Sequence, residues 1–234
     1  MNAQLPLALR WPAQHRFETF VAGDNAAAVA LVRQTAVNDS PWVFVSGPAG
    51  SGKTHLLMAA CAAASSSSRN AQYLALAKLP GDRSTDIRSF GGSDLLALDD
   101  VDAIAGDREA EHALFDLYNR CKVEKSTLLF SAGKPPTQIG MGLPDLVSRL
   151  SACAQATLKP LDDAARRDAV QQRAQARGLL LDDAVLDWLF AHTQRDLGSL
   201  SALIERLDRE SLAAKRRITV PFLRQLLQSE KNNG

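Results

Sequence analysis

The chain has 234 residues, of which 46% are hydrophobic and 23% are charged, and its formal net charge is +1. This length allows one large α/β domain, or such a domain with a small second one, and the composition is ordinary for a globular protein. This net charge argues neither for nor against nucleic-acid binding, but a dedicated DNA-binding domain would usually show a basic face, and the sequence has no long basic run. The sequence has neither a signal-peptide pattern nor an apolar run of membrane-spanning length, and its three cysteines lack pairing or metal-binding spacing. We therefore expect a cytoplasmic protein with no membrane partner.

Residues 1–12 form a predicted tail, because two prolines within a short segment oppose a helix. The leucines of this tail alternate along an extended segment, so they project to one side and can fill pockets on a partner. The Gln4 amide and the backbone would supply hydrogen bonds to the same partner. A docking peptide made of Gln4, Leu5, Leu7 and Leu9 is one interpretation. The other is an apolar tail that folds back onto its own domain.

Residues 26–37 are rich in alanine and form the first predicted helix. Asp24 or Asn25 is a suitable N-cap for this helix, because a short polar side chain can accept a hydrogen bond from a free backbone N–H. Phe17 and Phe20 precede it, and we expect both rings to pack beneath the core.

A P-loop pattern follows the first predicted strand, residues 42–45, and opens a helix. Its residues are Gly47, Pro48, Ala49, Gly50, Ser51, Gly52, Lys53 and Thr54. Glycines let successive backbone N–H groups turn toward a phosphate, and the positive end of the following helix adds to the attraction. Lys53 can reach the β- and γ-phosphates, and the Thr54 hydroxyl can bind Mg²⁺. Since the strand, loop and helix occur in the required order, a chance Gly-rich turn is a poor alternative.

Two carboxylates, Asp99 and Asp100, follow the fully apolar residues 95–98. Such a run predicts a buried parallel strand, and ligands of open α/β sheets bind at the carboxyl ends of the strands. We expect Asp99 to hold Mg²⁺ through water and Asp100 to orient or activate a water molecule. Asp102 is interpreted as a helix-capping or surface acid. The alternative interpretation is that the strand simply ends in an acidic turn with no function. The P-loop earlier in the chain makes this structural interpretation less attractive.

A short helix is predicted over residues 143–150, with Pro144 and Asp145 in its first turn. Arg149 would lie near its end, away from the P-loop of the same chain. A planar, always charged guanidinium suits a transition-state clamp on a γ-phosphate. Taken alone, Arg149 is more simply a surface arginine at a helix C-terminus.

The remaining pattern divides the chain into an α/β unit and a helical unit. Strands are predicted over 72–76, 127–131 and 154–158, and the chain beyond a Lys-Pro-Leu hinge has only helical pattern. The sequence thus predicts an α/β nucleotide-binding domain over 13–159, with a parallel sheet flanked by helices. A small all-α lid domain is predicted over 160–234.

An α/β ATPase core followed by a helical lid resembles the AAA+ ATPases, and three segments narrow this resemblance to the DnaA branch. They are the run from Phe17 and Phe20 to Gly23-Asp24-Asn25, the pair Asp99-Asp100, and the Ile-Thr-Val-Pro-Phe sequence at 218–222. The short form with an N-terminal Gln-Leu-x-Leu peptide is similar to the Hda family of DnaA-related regulators, over nearly the whole chain. The helix-turn-helix DNA-binding domain of DnaA is not expected here.

This resemblance implies a negative regulator of chromosomal replication initiation. Through residues Gln4, Leu5, Leu7 and Leu9 it would dock on the sliding clamp, the beta subunit of the replicative polymerase. There it would stimulate hydrolysis of ATP bound to the initiator DnaA, with Arg149 as the arginine finger. The P-loop would hold ADP or ATP with Mg²⁺. AAA+ geometry also suggests a homodimer or a head-to-tail oligomer.

Two departures from the family pattern predict weak hydrolysis by this chain itself. Ser131-Ala132-Gly133 lacks the acidic or amide sensor that much of the family carries after this strand. Gly198 stands where the family usually has a lid arginine, so either Arg195 substitutes or that sensor is absent. Because Lys53 is retained, we expect firm nucleotide binding with slow intrinsic turnover.

Two other functions fit a P-loop chain of this size. One is a stand-alone P-loop ATPase or small-molecule kinase, although the arginine-bearing insertion typical of such kinases is not evident. The other is a AAA+ protein of the helicase-loader type, which would bind the replicative helicase instead of the clamp.

Overall fold

Five parallel strands form the central sheet of the computed structural model, which describes residues 11–12, 14–38, 41–192, 197–214 and 218–231. The order of the strands across this sheet is β2-β3-β4-β1-β5. Their bounds are β1 Val43–Ser46, β2 Ala71–Ala75, β3 Leu95–Asp99, β4 Thr127–Ala132 and β5 Ala154–Thr157.

Helices cover the sheet and continue beyond its last strand. Those interleaved with the strands are α1 Ala26–Val37, α2 Lys53–Ser66, α3 Arg83–Ser89, α4 Arg108–Glu124 and α5 Pro144–Ser151. Those after β5 are α6 Asp163–Gln175, α7 Asp183–His192, α8 Leu197–Ala214 and α9 Val220–Lys231. In the described residues no helix is both long and apolar enough to cross a membrane.

The sheet is buried on both faces, which explains why its central strands are continuously apolar. Successive side chains of a strand point to opposite faces. Phe44 and Phe130 therefore join the cluster formed with α3, α4 and α5, whereas Val43 and Leu129 join the cluster formed with α1 and α2. Each layer of helices thus has its own apolar core against the sheet.

The helices after β5 pack around a third apolar cluster of their own. Its fully buried members include Leu186, Leu207 and Leu223, from α7, α8 and α9. The predicted architecture, a parallel α/β sheet followed by an all-helical unit, is confirmed. The boundaries placed at residues 12 and 159 stay predictions.

Asn25 occupies the N-cap position of α1, but its side chain does not cap the helix. Its Nδ2 donates to the carbonyl of Lys159 at 3.0 Å, and its Oδ1 accepts from the Lys159 N–H at 2.7 Å. The prediction that the side chain of Asp24 or Asn25 caps α1 is therefore wrong. The buried amide instead satisfies backbone groups just beyond β5, and it fastens the start of α1 to the segment that leads into α6.

Candidate nucleotide-binding site

The loop between β1 and α2 requires glycine for two separate physical reasons. Gly50 and Gly52 have φ angles of +74° and +97°, which side chains rarely adopt. A Cβ on Gly52 would also lie 2.6 Å from Cε2 of Phe20, and one on Gly47 would lie 2.8 Å from the Leu158 carbonyl oxygen. The loop therefore folds as a tight cradle that ends at the N-terminus of α2.

Polar side chains of this cradle face inward. Lys53 Nζ donates to the carbonyl oxygens of Gly47 at 2.8 Å and Pro48 at 3.1 Å. The Ser51 hydroxyl is buried without a hydrogen-bond partner. A buried polar group of this kind is destabilising unless a ligand satisfies it. The cradle thus fits an anion such as a phosphate, as its sequence predicts.

Asp99, at the carboxyl end of β3, is surrounded by three hydroxyl groups. Its Oδ2 accepts from Thr54 Oγ1 and from the Tyr73 hydroxyl, both at 2.6 Å, and its Oδ1 accepts from Ser131 Oγ. Burial, followed by the Asp99 charge, raises the pKa of Tyr73, so its hydroxyl stays a donor. Thr54 and Asp99 are thus in direct contact, as a P-loop hydroxyl and an acidic strand end must be to share a Mg²⁺ ion.

In the described residues, the Thr54–Asp99 pair does not belong to a larger cluster of metal-binding side chains. Within the described ranges, no group of three or more His, Cys, Asp or Glu residues could hold a metal ion. Mg²⁺ keeps several waters and is commonly bound through one or two protein groups and substrate phosphates. The Thr54–Asp99 pair therefore fits a nucleotide-bound Mg²⁺ better than a dedicated metal site.

Asp100 follows in a left-handed conformation, with φ of +56°. Its N–H donates to Ser131 Oγ at 3.0 Å, and burial together with the Asp99 charge raises the pKa of its carboxyl group. A partly buried carboxylate beside a phosphate cradle is suited to orienting water.

Ser131 and Asp102 also contact this part of the site. The Ser131 hydroxyl donates to Asp99 and accepts from the Asp100 N–H. Asp102 accepts from the Gly133 N–H at 3.0 Å, so it links to the segment just after β4 instead of capping a helix.

A cavity of about 520 Å³ connects the cradle to the lid. The segment 14–19 forms one wall, the start of α2 forms the floor, and residues of α6 and α8 form the other wall. This volume is within the range of small-molecule and cofactor sites. The sequence did not reveal that segment 14–19 or α6 belongs to this site.

Two neutral histidines form part of the cavity wall. His55 Nε2 lies 2.9 Å from the Arg16 carbonyl oxygen, and its ring packs edge-on against His15 and Phe20 at centroid distances of 5.1 and 5.2 Å. Burial lowers the pKa of His55 to about 4 and also lowers that of His15. At neutral pH these two imidazole rings are therefore uncharged.

Arg149 lies on the outer surface at the opposite edge of the sheet. It is exposed on α5, and its guanidinium carbon is 5.9 Å from the centroid of the Tyr118 ring. Since α5 ends just before β5 begins, and Ala154 of β5 pairs with Val43 at the start of β1, Arg149 lies at the amino edge of the parallel strands. The P-loop lies at the carboxyl edge, so this guanidinium is directed away from the cradle of its own chain.

Some residues predicted for the site lie outside the described part of the chain. Other residues that the structure places in the site were not predicted from the sequence. Gln4, Leu5, Leu7, Leu9 and Arg195 lie outside the described residues. The contact of Tyr73 with Asp99 depends on β2 lying beside β3, an order that no local pattern specifies. Similarly, the lid residues of the cavity depend on how α6 and α8 fold back over the sheet.

Four features define this chain as a P-loop protein of the AAA+ type. They are the strand order of the parallel sheet, the P-loop after β1, the acidic pair after β3 and the helical lid. The family model described as the bacterial DnaA ATPase domain matches residues 12–156, and the model described as the Hda lid domain matches residues 163–227. The chain therefore belongs to the DnaA family of AAA+ proteins, as an Hda-like, DnaA-related member.

Several solved structures share this fold. Domain III of the replication initiation protein DnaA from Thermotoga maritima superposes with a TM-score of 0.77, at 20% identity over 94% of this chain and 98% of that one. AMPPCP-bound DnaA from Aquifex aeolicus gives 0.69 at 22% identity, over 85% of this chain and 65% of that one. The RuvB Holliday junction branch migration motor of T. maritima superposes with a TM-score of 0.62, at 16% identity over 88% of this chain and 68% of that one.

Proposed function

We propose that this protein is a negative regulator of replication initiation that binds ADP or ATP with Mg²⁺, docks on the DNA sliding clamp and stimulates hydrolysis of DnaA-bound ATP. The observation that carries the proposal is the position of Arg149. A DnaA-family chain with an Hda-type lid exposes this guanidinium at the edge of the sheet opposite to its own P-loop.

Nucleotide binding by this chain is supported by the cradle and by one solved relative. Residues 47–54 would surround the phosphates, with Lys53 as the charged donor, and Thr54 and Asp99 would hold Mg²⁺. The DnaA of Aquifex aeolicus has been solved with AMPPCP bound. When bound, Mg²⁺ would neutralise phosphate charge, and Asp100 would orient water near the γ-phosphate.

Arg149 would act on the nucleotide of a partner molecule. A guanidinium supplied from a neighbour stabilises the charge that develops on the transferred phosphoryl group. Its exposure on α5 leaves it free to enter a DnaA site in a head-to-tail contact, and a homodimer could use the same surface. The Tyr118 ring beneath this guanidinium packs edge-on against the Trp42 ring, with the two ring centroids 4.5 Å apart.

The contact that Trp11 makes with the domain, shortly after the proposed clamp peptide, bears on clamp docking. Trp11 Nε1 donates to Ser65 Oγ at 2.9 Å, near the end of α2. Because α2 starts at the P-loop and runs back along the sheet, Ser65 lies toward the same edge as Arg149. Trp11, which follows the proposed clamp peptide made of Gln4, Leu5, Leu7 and Leu9, therefore lies toward the edge that carries the proposed finger.

The first test replaces Arg149 with alanine. We expect Arg149→Ala to lower the rate of clamp-dependent hydrolysis of DnaA-bound ATP by roughly 10³-fold or more, because a finger in a related system has this magnitude. ADP affinity and clamp binding should not change. Arg108→Ala, at an exposed arginine of α4, is the control. If Arg149→Ala still stimulated hydrolysis of DnaA-bound ATP fully, Arg149 would not be the arginine finger.

The second test concerns the tail. The double variant Gln4→Ala with Leu5→Ala should lose retention on immobilised clamp, because both the amide and one apolar anchor are removed. Its thermal unfolding and ADP affinity should match those of the unmodified protein. Undiminished retention on the clamp would contradict the docking peptide, and retention on replicative helicase instead would favour the loader type.

A further inference from the structure

The Arg149 guanidinium rests on an aromatic ring and has no charged partner. Its central carbon lies 5.9 Å from the centroid of the Tyr118 ring, within the roughly 6 Å over which a ring face attracts a cation. Asp145 stands four residues earlier on α5, a spacing that allows an ion pair on a helix. In the described residues, however, the guanidinium makes neither an ion pair nor a hydrogen bond. Its N–H donors therefore stay available to a partner molecule.

The Tyr118 ring itself is packed into the core between α4 and the sheet, with only 7% of the residue exposed. The Trp42 ring meets it edge-on at a centroid distance of 4.5 Å, and the Phe130 ring lies nearly parallel to it at 6.4 Å. Trp42 is held in turn, because its Nε1 donates to the Ser126 carbonyl oxygen at 3.1 Å. Close packing of this kind restricts the Tyr118 ring to few orientations.

A second link joins Tyr118 to Arg149 through the thiol of Cys153. The Cys153 thiol donates to the Arg149 carbonyl oxygen at 3.6 Å, and the Tyr118 hydroxyl is hydrogen-bonded to the same sulfur. Since the thiol proton is directed to Arg149, the hydroxyl is the donor to the sulfur. Burial raises the pKa of Tyr118 and raises that of Cys153 to about 12, so both groups keep their protons at neutral pH. Tyr118 is thus connected to both the side chain and the backbone of Arg149.

We propose that Tyr118 is a positioning residue for the arginine finger, whose ring face holds the Arg149 guanidinium at the surface while leaving the N–H donors free. The inference rests on the proposed function of Arg149. A carboxylate would also hold the guanidinium, but it would occupy the donors that must reach a γ-phosphate, and the ion pair would have to break on docking. A ring face attracts the cation without that conflict. It also reduces the entropy lost when the long arginine side chain is ordered against a partner's nucleotide.

The experiment compares three variants in clamp-dependent hydrolysis of DnaA-bound ATP, over a range of concentrations of this protein. Tyr118→Leu removes the ring, and Tyr118→Phe keeps the ring but removes the hydroxyl. Phe44→Leu is the matched control, because it removes a buried ring from the same apolar cluster, where Phe44 stacks on Phe130 and not on Tyr118. Thermal unfolding and ADP affinity are measured for each variant, and the assay is run below every unfolding temperature.

Tyr118→Leu should lower the maximal rate of hydrolysis by roughly 3- to 30-fold, the range for losing a cation–π contact. The concentration of this protein that gives half-maximal stimulation should change by less than about twofold, because the contact acts on the transition state and not on docking. Tyr118→Phe should keep at least about half of the maximal rate. Phe44→Leu should keep the full rate although it lowers the unfolding temperature, which a purely structural role of Tyr118 would not distinguish from Tyr118→Leu.

Nuclear magnetic resonance tests the contact itself, without DnaA. Protons above the face of an aromatic ring shift upfield. The side-chain signals of Arg149, assigned by their absence in Arg149→Lys, should therefore lie upfield of those of the exposed Arg108. They should keep this position in Tyr118→Phe and lose it in Tyr118→Leu.

A full maximal rate in Tyr118→Leu would overturn the inference, and so would an equal loss of rate in Tyr118→Phe or in Phe44→Leu. If Tyr118→Leu does not fold, Arg149 signals without an upfield shift in the unmodified protein and in Tyr118→Phe would overturn it instead. If Arg149→Ala stimulates hydrolysis as the unmodified protein does, the proposed function fails. That outcome is distinct from a failure at Tyr118 alone, because the resonance measurement still shows whether the ring holds the guanidinium.

Discussion

At the scale of single residues, the site depends on buried polar groups that are held by one another. Asp99 receives hydroxyl groups from β2, α2 and β4, through Tyr73, Thr54 and Ser131. Each of these hydrogen bonds to a charged acceptor is worth about 1.5–3 kcal/mol. The Thr54 oxygen can bind Mg²⁺ through a lone pair while its O–H still donates to Asp99, and Tyr73 and Ser131 also hold the carboxylate in place.

His55 makes the stability of the protein without nucleotide depend on pH. Its pKa in the folded chain is about 4, against an ordinary value of 6.5, because the ring is buried. Between these values the unfolded chain binds a proton that the folded chain does not, so the free energy of unfolding falls as pH falls from 6.5 to 4. The contribution of this one site to the slope reaches about 1.4 kcal/mol per pH unit.

Chemical denaturation at a series of pH values measures this slope. Between pH 6 and pH 5, His55→Gln should show a distinctly shallower decline in the free energy of unfolding than the unmodified protein. His192→Gln, at an exposed histidine of the lid, should show the unmodified slope. If His55→Gln retained the full slope, the titration of His55 would not be its source.

The residues that carry a fixed chemical pattern could be predicted from the sequence, and those recruited by packing could not. Lys53 and Thr54 are defined by a local pattern, and Asp99 is defined by the apolar strand before it. Tyr73 and Arg173 reach the site because of strand order and lid placement. These are tertiary features that no short-range pattern contains.

At the scale of elements, Glu111 fixes the helix that carries Arg149. This carboxylate of α4 is only 2% exposed, and it accepts from the N–H groups of Gly106, Gly142 and Leu143 at 2.8, 3.0 and 2.7 Å. Leu143 is the N-cap residue of α5. Glu111 thus sets where α5 starts and, through the helix, where Arg149 is presented.

Replacing Glu111 with glutamine tests this arrangement. The amide NH₂ cannot accept from a backbone N–H, so Glu111→Gln should lower the free energy of unfolding by about 1.5–3 kcal/mol. It should also reduce stimulation of DnaA-bound ATP hydrolysis without changing ADP affinity. Glu109→Gln, which removes only an exposed ion pair with Arg88, should change stability by less than about 1 kcal/mol. Equal effects of the two variants would contradict the role of Glu111.

The elements themselves followed closely from periodicity and apolar runs. The predicted helix over 26–37 is observed as Ala26–Val37, and the strand over 127–131 as Thr127–Ala132. Asn25 shows the limit of such reasoning. Its residue type and position favour a cap, but the backbone groups of Lys159, distant in sequence, are its partners in the fold.

At the scale of the whole molecule, the two functional ends are separated by the sheet. The cradle and Asp99 lie at the carboxyl edge beneath the lid, and Arg149 lies at the amino edge. Because β1 spans about 13 Å between these edges, one chain cannot apply its own finger to its own phosphates without rearrangement. As the proposed finger, Arg149 would therefore have to act on a second molecule.

Differential labelling tests this requirement most directly. DnaA loaded with γ-labelled ATP is mixed with this protein carrying unlabelled ADP, on clamp-loaded DNA, and label release is followed. In the reciprocal mixture, this protein carries the γ-labelled ATP. We predict rapid release from DnaA that is lost in Arg149→Ala, and slow release from this protein whether or not Arg149 is present. Arg149-dependent release of the label from this protein's own ATP, with none from DnaA, would contradict action on a second molecule.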